Sequence, residues 1–121
     1  MERVNAQVPL QAIAPDLFVA GQLTPTAMAQ AASLGIRSVV NNRPDFEHGP
    51  EQASNASIEA AALAAGLEYR FLPVSGGHQT REEIAAMAQL LKDLPRPILA
   101  FCRSGARSAR LIQQAQSLRL D

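Results

Sequence analysis

The 121-residue sequence has one cysteine, no tryptophan, one tyrosine and four phenylalanines. A single cysteine excludes an internal disulfide and a metal site built from several cysteines. So few aromatic residues, beside 22 alanines and 14 leucines, disfavour an all-β sandwich and favour helices. No apolar run approaches the ~18–20 residues of a membrane span, and the first five residues lack the apolar core of a secretory signal. We therefore expect a cytoplasmic protein without a membrane partner.

An excess of charge is also missing, because 11 basic residues balance 11 acidic ones. This balance disfavours disorder and a strongly basic nucleic-acid-binding domain, so no nucleic-acid partner is expected. The positive charge is nevertheless uneven. Residues 95–121 contain five arginines and one acid, and three of these arginines lie within eight residues around the cysteine. A solvated helix face is the ordinary interpretation of such a cluster.

Apolar runs and turn signals alternate along the chain. The strand-like apolar runs are residues 17–20, 36–41, 67–74 and 98–101. The helical segments, bounded by capping or glycine signals, are 24–34, 57–65, 80–92 and from after 108 to about 118. Residues 1–15 are expected to form an irregular arm, with an edge strand from Val8 to Ile13. The alternation predicts one α/β domain over residues 1–121, with a mainly parallel sheet flanked by helices.

Three loops are expected to meet at one edge of this sheet. In open α/β sheets the ligand site lies at the carboxyl ends of the parallel strands. The loops that follow predicted strands at that edge are 41–47, 74–80 and 102–108. We therefore look for binding and catalytic side chains in these three segments.

The 102–108 loop has residues that suit an anion and a reactive thiol. A strand-to-helix turn directs backbone N–H groups inward, and the positive end of the helix dipole lies at the same place. Amides and arginine there stabilise a thiolate and lower its pKa, so Cys102 is the predicted nucleophile. Gly105 permits a positive φ or a close backbone approach. Arg107 presents a planar fork for two oxygens of a tetrahedral anion.

Other residues near the cysteine are predicted to bind substrate. Ser108 directly follows the arginine and is placed to donate a hydrogen bond to the cysteine sulfur. The predicted substrate-binding residues are Arg103, Ser104, Gly105, Ala106, Ser108 and Arg43. The alternative is a structural role, with the cysteine as a small buried side chain and the arginines solvated. A glycine three residues and an arginine five residues after the cysteine favour a functional loop.

The 102–108 segment resembles the active-site loop of cysteine-dependent phosphatases and of rhodanese sulfurtransferases. The stretch from about 16 to 118 looks like the bacterial phosphatase-like domain family of beta-lactamase-hydrolase-like proteins. The segments that carry this resemblance are Gly21–Thr24, Asn41–Asp45, Leu72–Val74 and Leu99–Ser108. The resemblance implies a protein tyrosine phosphatase-like fold, a cytoplasmic thiolate enzyme, and association with sulfide-oxidation proteins.

Two departures from the tyrosine phosphatase pattern bear on the substrate. Four residues separate Cys102 from Arg107, as is common in the rhodanese loop, whereas phosphatases of this type have five. The smaller ring suits a persulfide sulfur better than a phosphoryl group. Such phosphatases also protonate the leaving oxygen with an aspartic acid on the loop after the third strand. The corresponding loop here, Ser75–Thr80, contains no carboxylate, and the first one after it is Glu82, inside the helix. His78 is the titratable residue of that loop and a candidate acid, simple exposure being the alternative.

Two carboxylates on the 41–47 loop are further acid candidates. Asp45 is predicted as a substitute general acid or as an aid in positioning the substrate, and Glu47 lies two residues beyond it. The alternative for Asp45 is a Pro-Asp turn or a salt bridge that orients Arg43 or Arg107.

No metal site and no cofactor are predicted. The spacing of His48, Glu51 and Asp45 matches no known metal-binding pattern. The predicted partners are a small anionic or persulfide substrate, with a phosphoprotein as a further candidate, and sulfide-oxidation enzymes. Chains of this resemblance usually continue with further helices, so a truncated or dimerising unit is a further expectation.

Two thiolate reactions fit these residues. The favoured prediction is sulfane-sulfur transfer of the rhodanese type, in which Cys102 takes sulfur from thiosulfate or a persulfide and passes it to sulfite or glutathione. The alternative is phosphomonoester hydrolysis through a cysteinyl-phosphate, with Arg107 clamping the oxygens and His78 or Asp45 supplying the proton. A non-catalytic anion-binding module is the second alternative.

Overall fold

A computed structural model describes residues 10–118 of the chain. Its strands are β1 (Gln11–Ala14), β2 (Leu17–Ala20), β3 (Ser38–Asn41), β4 (Glu68–Phe71) and β5 (Ile98–Phe101). Its helices are α1 (Pro25–Ser33), α2 (Asn55–Ala64), α3 (Arg81–Asp93) and α4 (Ala106–Ser117). Strands and helices alternate from β2 to α4, as the sequence predicts.

The five strands form one mixed sheet in the order β1-β2-β5-β3-β4. Strands β2, β5, β3 and β4 are parallel, and only β1, at the edge, pairs antiparallel with β2. The central strand β5 is fully buried, as expected for a parallel strand covered by helices on both faces. The prediction of a mainly parallel α/β sheet flanked by helices is therefore confirmed.

Helices cover both faces of the sheet. Alternate residues of β5 enter opposite cores: Leu99 and Phe101 pack in the cluster with α1 and α2, whereas Ile98 and Ala100 pack in the cluster with α3 and α4. Strand side chains alternate between faces, so one short strand supplies both cores. Burial on both faces fixes the position of β5 in the sheet. It therefore also fixes the position of Cys102, the residue directly after this strand.

Some predicted boundaries differ from the observed ones. The third predicted strand, 67–74, is shorter in the structure because β4 ends at Phe71. Helix α2 begins earlier than predicted, at Asn55, because the Ser54 side chain accepts the Ser57 backbone N–H at its start. The predicted capping box at the start of α3 is present, with Thr80 and Glu83 bonded reciprocally.

The predicted edge strand of the N-terminal arm overlaps β1, which lies at the edge of the sheet. Residues 11–14 form β1, where the prediction places an irregular arm and an edge strand from Val8 to Ile13. Residues 1–9 of that arm lie outside the described part of the chain. Over residues 10–118, no helix is both long enough and apolar enough to cross a membrane.

Candidate active site

The three predicted loops meet at the carboxyl edge of the sheet. Backbone pairing continues beyond the strand ends: Cys102 N–H donates to the Ala20 carbonyl at 3.3 Å, and Asn42 N–H donates to the Phe101 carbonyl at 2.9 Å. The Asn42 carbonyl in turn accepts the Val74 N–H at 3.0 Å. These bonds hold the cysteine loop (residues 102–108) beside the β3–α2 loop (42–54) and the β4–α3 loop (72–80).

Gly105 allows the cysteine loop to turn into α4. It is the N-cap of α4 and has a φ of +96°, in the left-handed region that glycine adopts without a steric cost. A Cβ at this position would also lie 3.4 Å from the Ala20 carbonyl carbon. The positive φ therefore accounts for the predicted glycine, since a Cβ here would make an ordinary contact with Ala20.

The Cys102 sulfur lies among backbone amides. Its Sγ accepts the Gly105 N–H at 3.1 Å and the Ser108 N–H at 3.4 Å, and the residue is only 1% exposed. Burial acts to raise the pKa of Cys102, but hydrogen bonds from Ser108, Ser104 and Gly105 outweigh it, so the pKa lies below its ordinary value. The arrangement stabilises a thiolate, which is the nucleophilic form of cysteine.

The Ser108 side chain bonds to Asn42 as well as acting on the cysteine sulfur, the partner that the sequence predicts. Its hydroxyl donates to Asn42 Oδ1 at 2.8 Å, while its backbone N–H points to the Cys102 sulfur. The Asn42 amide is fixed from its other end, where it donates to the Leu72 carbonyl at 3.0 Å. Hydrogen bonding from both the side chain and the backbone of Ser108 lowers the pKa of Cys102. Asn42 itself was not among the predicted site residues.

Arg107 lies in the first turn of α4 and reaches both neighbouring loops. Its Nη1 donates to the Val74 carbonyl at 3.1 Å, and its guanidinium pairs with Glu47, with Nη1–Oε2 and Nη2–Oε1 distances of 3.0 and 3.2 Å. The side chain is 11% exposed. Its Nε is buried and has no hydrogen-bond partner among residues 10–118. A Cβ on Gly76 would lie 3.2 Å from Arg107 Nη2, so this glycine admits the guanidinium.

Glu47 is the acidic residue that contacts the predicted anion-binding arginine. Its Oε1 also accepts from Arg43 Nε at 2.9 Å. Burial acts to raise the pKa of Glu47, but hydrogen bonds from Arg107 and Arg43 and their positive charges prevail and lower it. Glu47 is therefore a carboxylate at neutral pH, which suits an anchor for arginine better than a proton donor.

Arg43 is buried rather than open to a ligand. Its side chain is 6% exposed, and its Nη1 donates to Gln22 Oε1 at 2.8 Å. Its backbone N–H donates to Asn41 Oδ1 at 2.9 Å. The predicted substrate-binding role of Arg43 stays a prediction, and the contacts observed for it are with protein groups.

The two predicted acids occupy different surroundings. Asp45 Oδ1 accepts the backbone N–H of Asn55, the first residue of α2, at 2.6 Å. A carboxylate there accepts a hydrogen bond from a backbone N–H that has no acceptor within the helix, and its negative charge interacts favourably with the positive end of the helix dipole. His78 is exposed on the β4–α3 loop. A role as general acid stays a prediction for both residues.

The rest of the cysteine loop is exposed at the rim. Arg103, Ser104 and Ala106 are exposed, and the Arg103 carbonyl accepts the Gln22 N–H at 3.1 Å. Arg110, one turn after Arg107 on α4, donates to the Gly76 carbonyl at 3.1 Å. Over residues 10–118, His, Cys, Asp and Glu side chains do not gather in a group of three or more that is suited to a metal ion.

The lowered pKa of Cys102 predicts a measurable titration. Thiolate absorbance in the ultraviolet should appear at lower pH in the native protein than in denaturant, and Cys102 is the only cysteine. Burial raises the pKa of Tyr69 to about 12, which keeps its own absorbance change out of this range. Between the native and unfolded pKa values the unfolded state binds more protons, so the free energy of unfolding should rise with pH there. A native thiol titrating at or above the unfolded one would contradict the geometry.

The contact of Asp45 with α2 predicts an effect on stability. Asp45→Ala should lower the free energy of unfolding by about 1 kcal/mol, because the Asn55 N–H loses its acceptor. Asp45→Asn keeps an oxygen acceptor and should cost less. Denaturant unfolding of the two variants measures this difference. If Asp45 instead acts as the general acid, both variants should lose turnover alike, with a changed pH profile.

A thiolate held by backbone amides at a strand-to-helix turn, beside a largely buried guanidinium, on a helix-covered parallel sheet defines a phosphatase-like cysteine protein. The chain matches the family described as "Beta-lactamase hydrolase-like protein, phosphatase-like domain" over residues 9–119 and belongs to it. It is 35% identical over 102 residues to a beta-lactamase hydrolase-like protein of Agrobacterium fabrum. That match covers 84% of this chain, which spans only 23% of the relative's length.

Solved structures share the fold. One from Neisseria meningitidis, whose own assignment as a phosphatase is provisional, has 26% identity and a TM-score of 0.75, covering 91% of this chain and 89% of that one. TpbA from P. aeruginosa, solved in complex with pTyr, has 16% identity and a TM-score of 0.62, covering 91% of this chain and 63% of its own. At that identity the likeness to TpbA concerns the fold alone. The resemblance inferred from the sequence is confirmed at the level of family and fold.

Proposed function

We propose that this domain is a cysteine-dependent phosphatase that hydrolyses phosphomonoesters. The observation that carries the proposal is the Cys102 sulfur, which accepts the N–H groups of Gly105 and Ser108 at the start of α4. Membership of a phosphatase-like family and phosphatase-like neighbours in fold support phosphoryl chemistry. This reverses the ranking drawn from the sequence, in which sulfur transfer came first. The family match that supports phosphoryl transfer extends over residues 9–119, whereas the case for sulfur transfer rests on two features of the loops.

The chemistry proceeds in two displacements. The Cys102 thiolate attacks phosphorus and forms an S–P bond while the P–O bond to the leaving group breaks with its electron pair on oxygen. Water then attacks the cysteinyl-phosphate, the S–P bond breaks, and the thiolate and inorganic phosphate are released. The Nε of Arg107, which has no hydrogen-bond partner in the described part of the chain, and the loop amides stabilise the charge on the phosphoryl oxygens.

The leaving oxygen needs a proton unless it is already a stable anion. Glu47 is held as a carboxylate by two arginines, and Asp45 is bonded at the start of α2. His78, exposed on the β4–α3 loop, is the proposed donor for substrates with a basic leaving group. Aryl phosphates with acidic phenols depend least on this residue and are the substrates to test first.

Sulfane-sulfur transfer is the second candidate, favoured by the four-residue spacing between Cys102 and Arg107. In this reaction the thiolate attacks the outer sulfur of thiosulfate, the S–S bond breaks, and sulfite leaves with the electron pair. The resulting persulfide on Cys102 passes its outer sulfur to a nucleophile such as cyanide or sulfite, which regenerates the thiolate. No external acid is needed, since sulfite is a stable leaving group.

Two parallel assays decide between these reactions. The protein is incubated with p-nitrophenyl phosphate and, separately, with thiosulfate and cyanide, before and after alkylation of its single cysteine with iodoacetamide. Nitrophenol release that alkylation abolishes supports the phosphatase. Thiocyanate formation without nitrophenol release would refute it in favour of sulfur transfer. Neither product, from a protein whose thiol titrates at its ordinary pKa, would indicate a non-catalytic anion-binding module.

A further inference from the structure

A chain of polar contacts links one part of the cysteine loop to another through two other loops. It begins at the Arg103 carbonyl, which accepts the backbone N–H of Gln22 at 3.1 Å. The side-chain oxygen of the same glutamine accepts Arg43 Nη1 at 2.8 Å. Gln22 therefore bonds to the cysteine loop with its backbone and to the β3–α2 loop with its side chain.

The chain closes at the other end of the cysteine loop. Arg43 Nε donates to Glu47 Oε1 at 2.9 Å, and both Glu47 oxygens contact the Arg107 guanidinium, at 3.0 and 3.2 Å. The Arg43 and Arg107 side chains are largely buried, at 6% and 11% exposed. The charge-assisted bonds of these two buried guanidinium groups converge on Glu47, whose side chain is 28% exposed, and two arginines on one carboxylate are more specific than a single exposed ion pair.

These contacts occupy one edge of the Arg107 guanidinium and do not involve its Nε edge. Its five N–H groups comprise one on Nε and two on each terminal nitrogen. Nη1 donates to the Val74 carbonyl and forms an ion pair with Glu47 Oε2, and Nη2 donates to Glu47 Oε1. Nε and one hydrogen of Nη2 are left; they lie against Gly76, and Nε is buried with no hydrogen-bond partner among residues 10–118. These two neighbouring N–H groups, on Nε and Nη2, match two oxygens of one tetrahedral anion.

We propose that Gln22, Arg43 and Glu47 form a positioning relay that turns the Nε–Nη2 edge of Arg107 toward the substrate oxygens. The inference rests on the anion-binding role of the site that the proposed function uses. In it, Arg43 and Glu47 act through Arg107 and do not touch the substrate. Glu47 is a positioning residue, and its two oxygens, both accepting from arginine, have no proton to transfer.

Glu47→Gln tests the relay, since it keeps the size of the side chain and removes its charge. Glu51→Gln is the matched control, because Glu51 is an exposed glutamate of the same loop. The affinity for inorganic phosphate is measured by titration calorimetry, and kcat/KM is measured with p-nitrophenyl phosphate and with phenyl phosphate. We expect Glu47→Gln to lower both affinity and kcat/KM by about 10- to 100-fold, equally for the two esters. Glu47→Asp should recover part of the loss, and Glu51→Gln should change little.

A second variant keeps the test independent of a change of charge. Gln22→Ala removes the Arg43 acceptor without changing the charge of the site, and a several-fold loss of phosphate affinity is expected. Wild-type affinity in both Glu47→Gln and Gln22→Ala would overturn the relay. A Glu47→Gln loss confined to phenyl phosphate would overturn it too, since that pattern marks a proton donor.

Different results would refute the proposed phosphatase activity and the proposed relay. A wild-type protein that binds phosphate, loses that affinity in the relay variants, yet hydrolyses neither ester would refute the phosphatase and support the relay. A wild-type protein that does not bind phosphate would overturn both.

Discussion

Cys102→Ser is expected to lower kcat for p-nitrophenyl phosphate by about 10⁴-fold or more, as removal of a nucleophile does elsewhere. The amides of the cysteine loop lower the pKa of a thiol, but a serine hydroxyl is far too weak an acid to ionise there at neutral pH. The loop backbone and Arg107 are unchanged by the substitution. The measurement is steady-state turnover, with phosphate affinity measured on the same preparation.

Phosphate affinity is the control for this variant. The serine protein should bind phosphate at least as tightly as the wild type, because it lacks the negative charge of the thiolate beside the anion. Preserved turnover in Cys102→Ser would refute every thiolate mechanism considered for this site. Loss of turnover together with loss of the folded state would make the variant uninformative, so thermal unfolding is recorded, and Cys102→Ala is compared as a second replacement that must be equally inactive.

The sequence predicted the local part of the site well. The apolar run ending at Phe101, a glycine at 105 and an arginine at 107 are close in sequence, and their spacing alone indicates a strand, a tight turn and a helix start. The structure has this arrangement, with the left-handed backbone at Gly105. Such features are predictable because backbone geometry couples residues only a few positions apart.

The side-chain contacts between loops were not predictable in the same way. Glu47 and Arg107 are 60 residues apart, and Ser108 and Asn42 are 66 apart. Spacing along the chain places these residues at one edge of the sheet but does not select which carboxylate reaches the arginine. Both Asp45 and Glu47 were available from the sequence. Asp45 accepts the backbone N–H of Asn55 at the start of α2, and this contact can be inferred only once the boundary of that helix is known.

The substrate preference shows how local features and the whole domain can point to different functions. The short spacing between Cys102 and Arg107 favoured sulfur transfer, whereas family membership over residues 9–119 supports phosphoryl transfer. The length of the cysteine loop limits the size of the anion-binding site, but it does not determine which N–H groups face a ligand. In the structure the spare donors of Arg107 are Nε and part of Nη2, a pair suited to two oxygens. Two such oxygens are present in a phosphoryl group and in thiosulfate alike, so the preference for phosphoryl transfer rests on family membership.

Replacement of Arg107 should have the second largest effect. Arg107→Lys keeps the charge but has no planar fork, so it cannot hold Glu47 and present two donors to an anion at once. We expect kcat/KM for p-nitrophenyl phosphate to fall by about 10²- to 10³-fold, the usual cost of removing a donor to developing charge. Arg107→Met should lose more, because it leaves Glu47 with Arg43 as its remaining arginine.

Arg110→Lys is the matched control for Arg107→Lys. Arg110 lies one turn further along α4, is exposed, and donates to the carbonyl of Gly76. An exposed contact of this kind contributes little, so this variant should stay within a few-fold of wild type. The two lysine variants are compared in steady-state kinetics and in phosphate titrations. No loss in either variant would mean that positive charge alone attracts the anion, since lysine keeps that charge, whereas a loss specific to position 107 requires the geometry of the guanidinium.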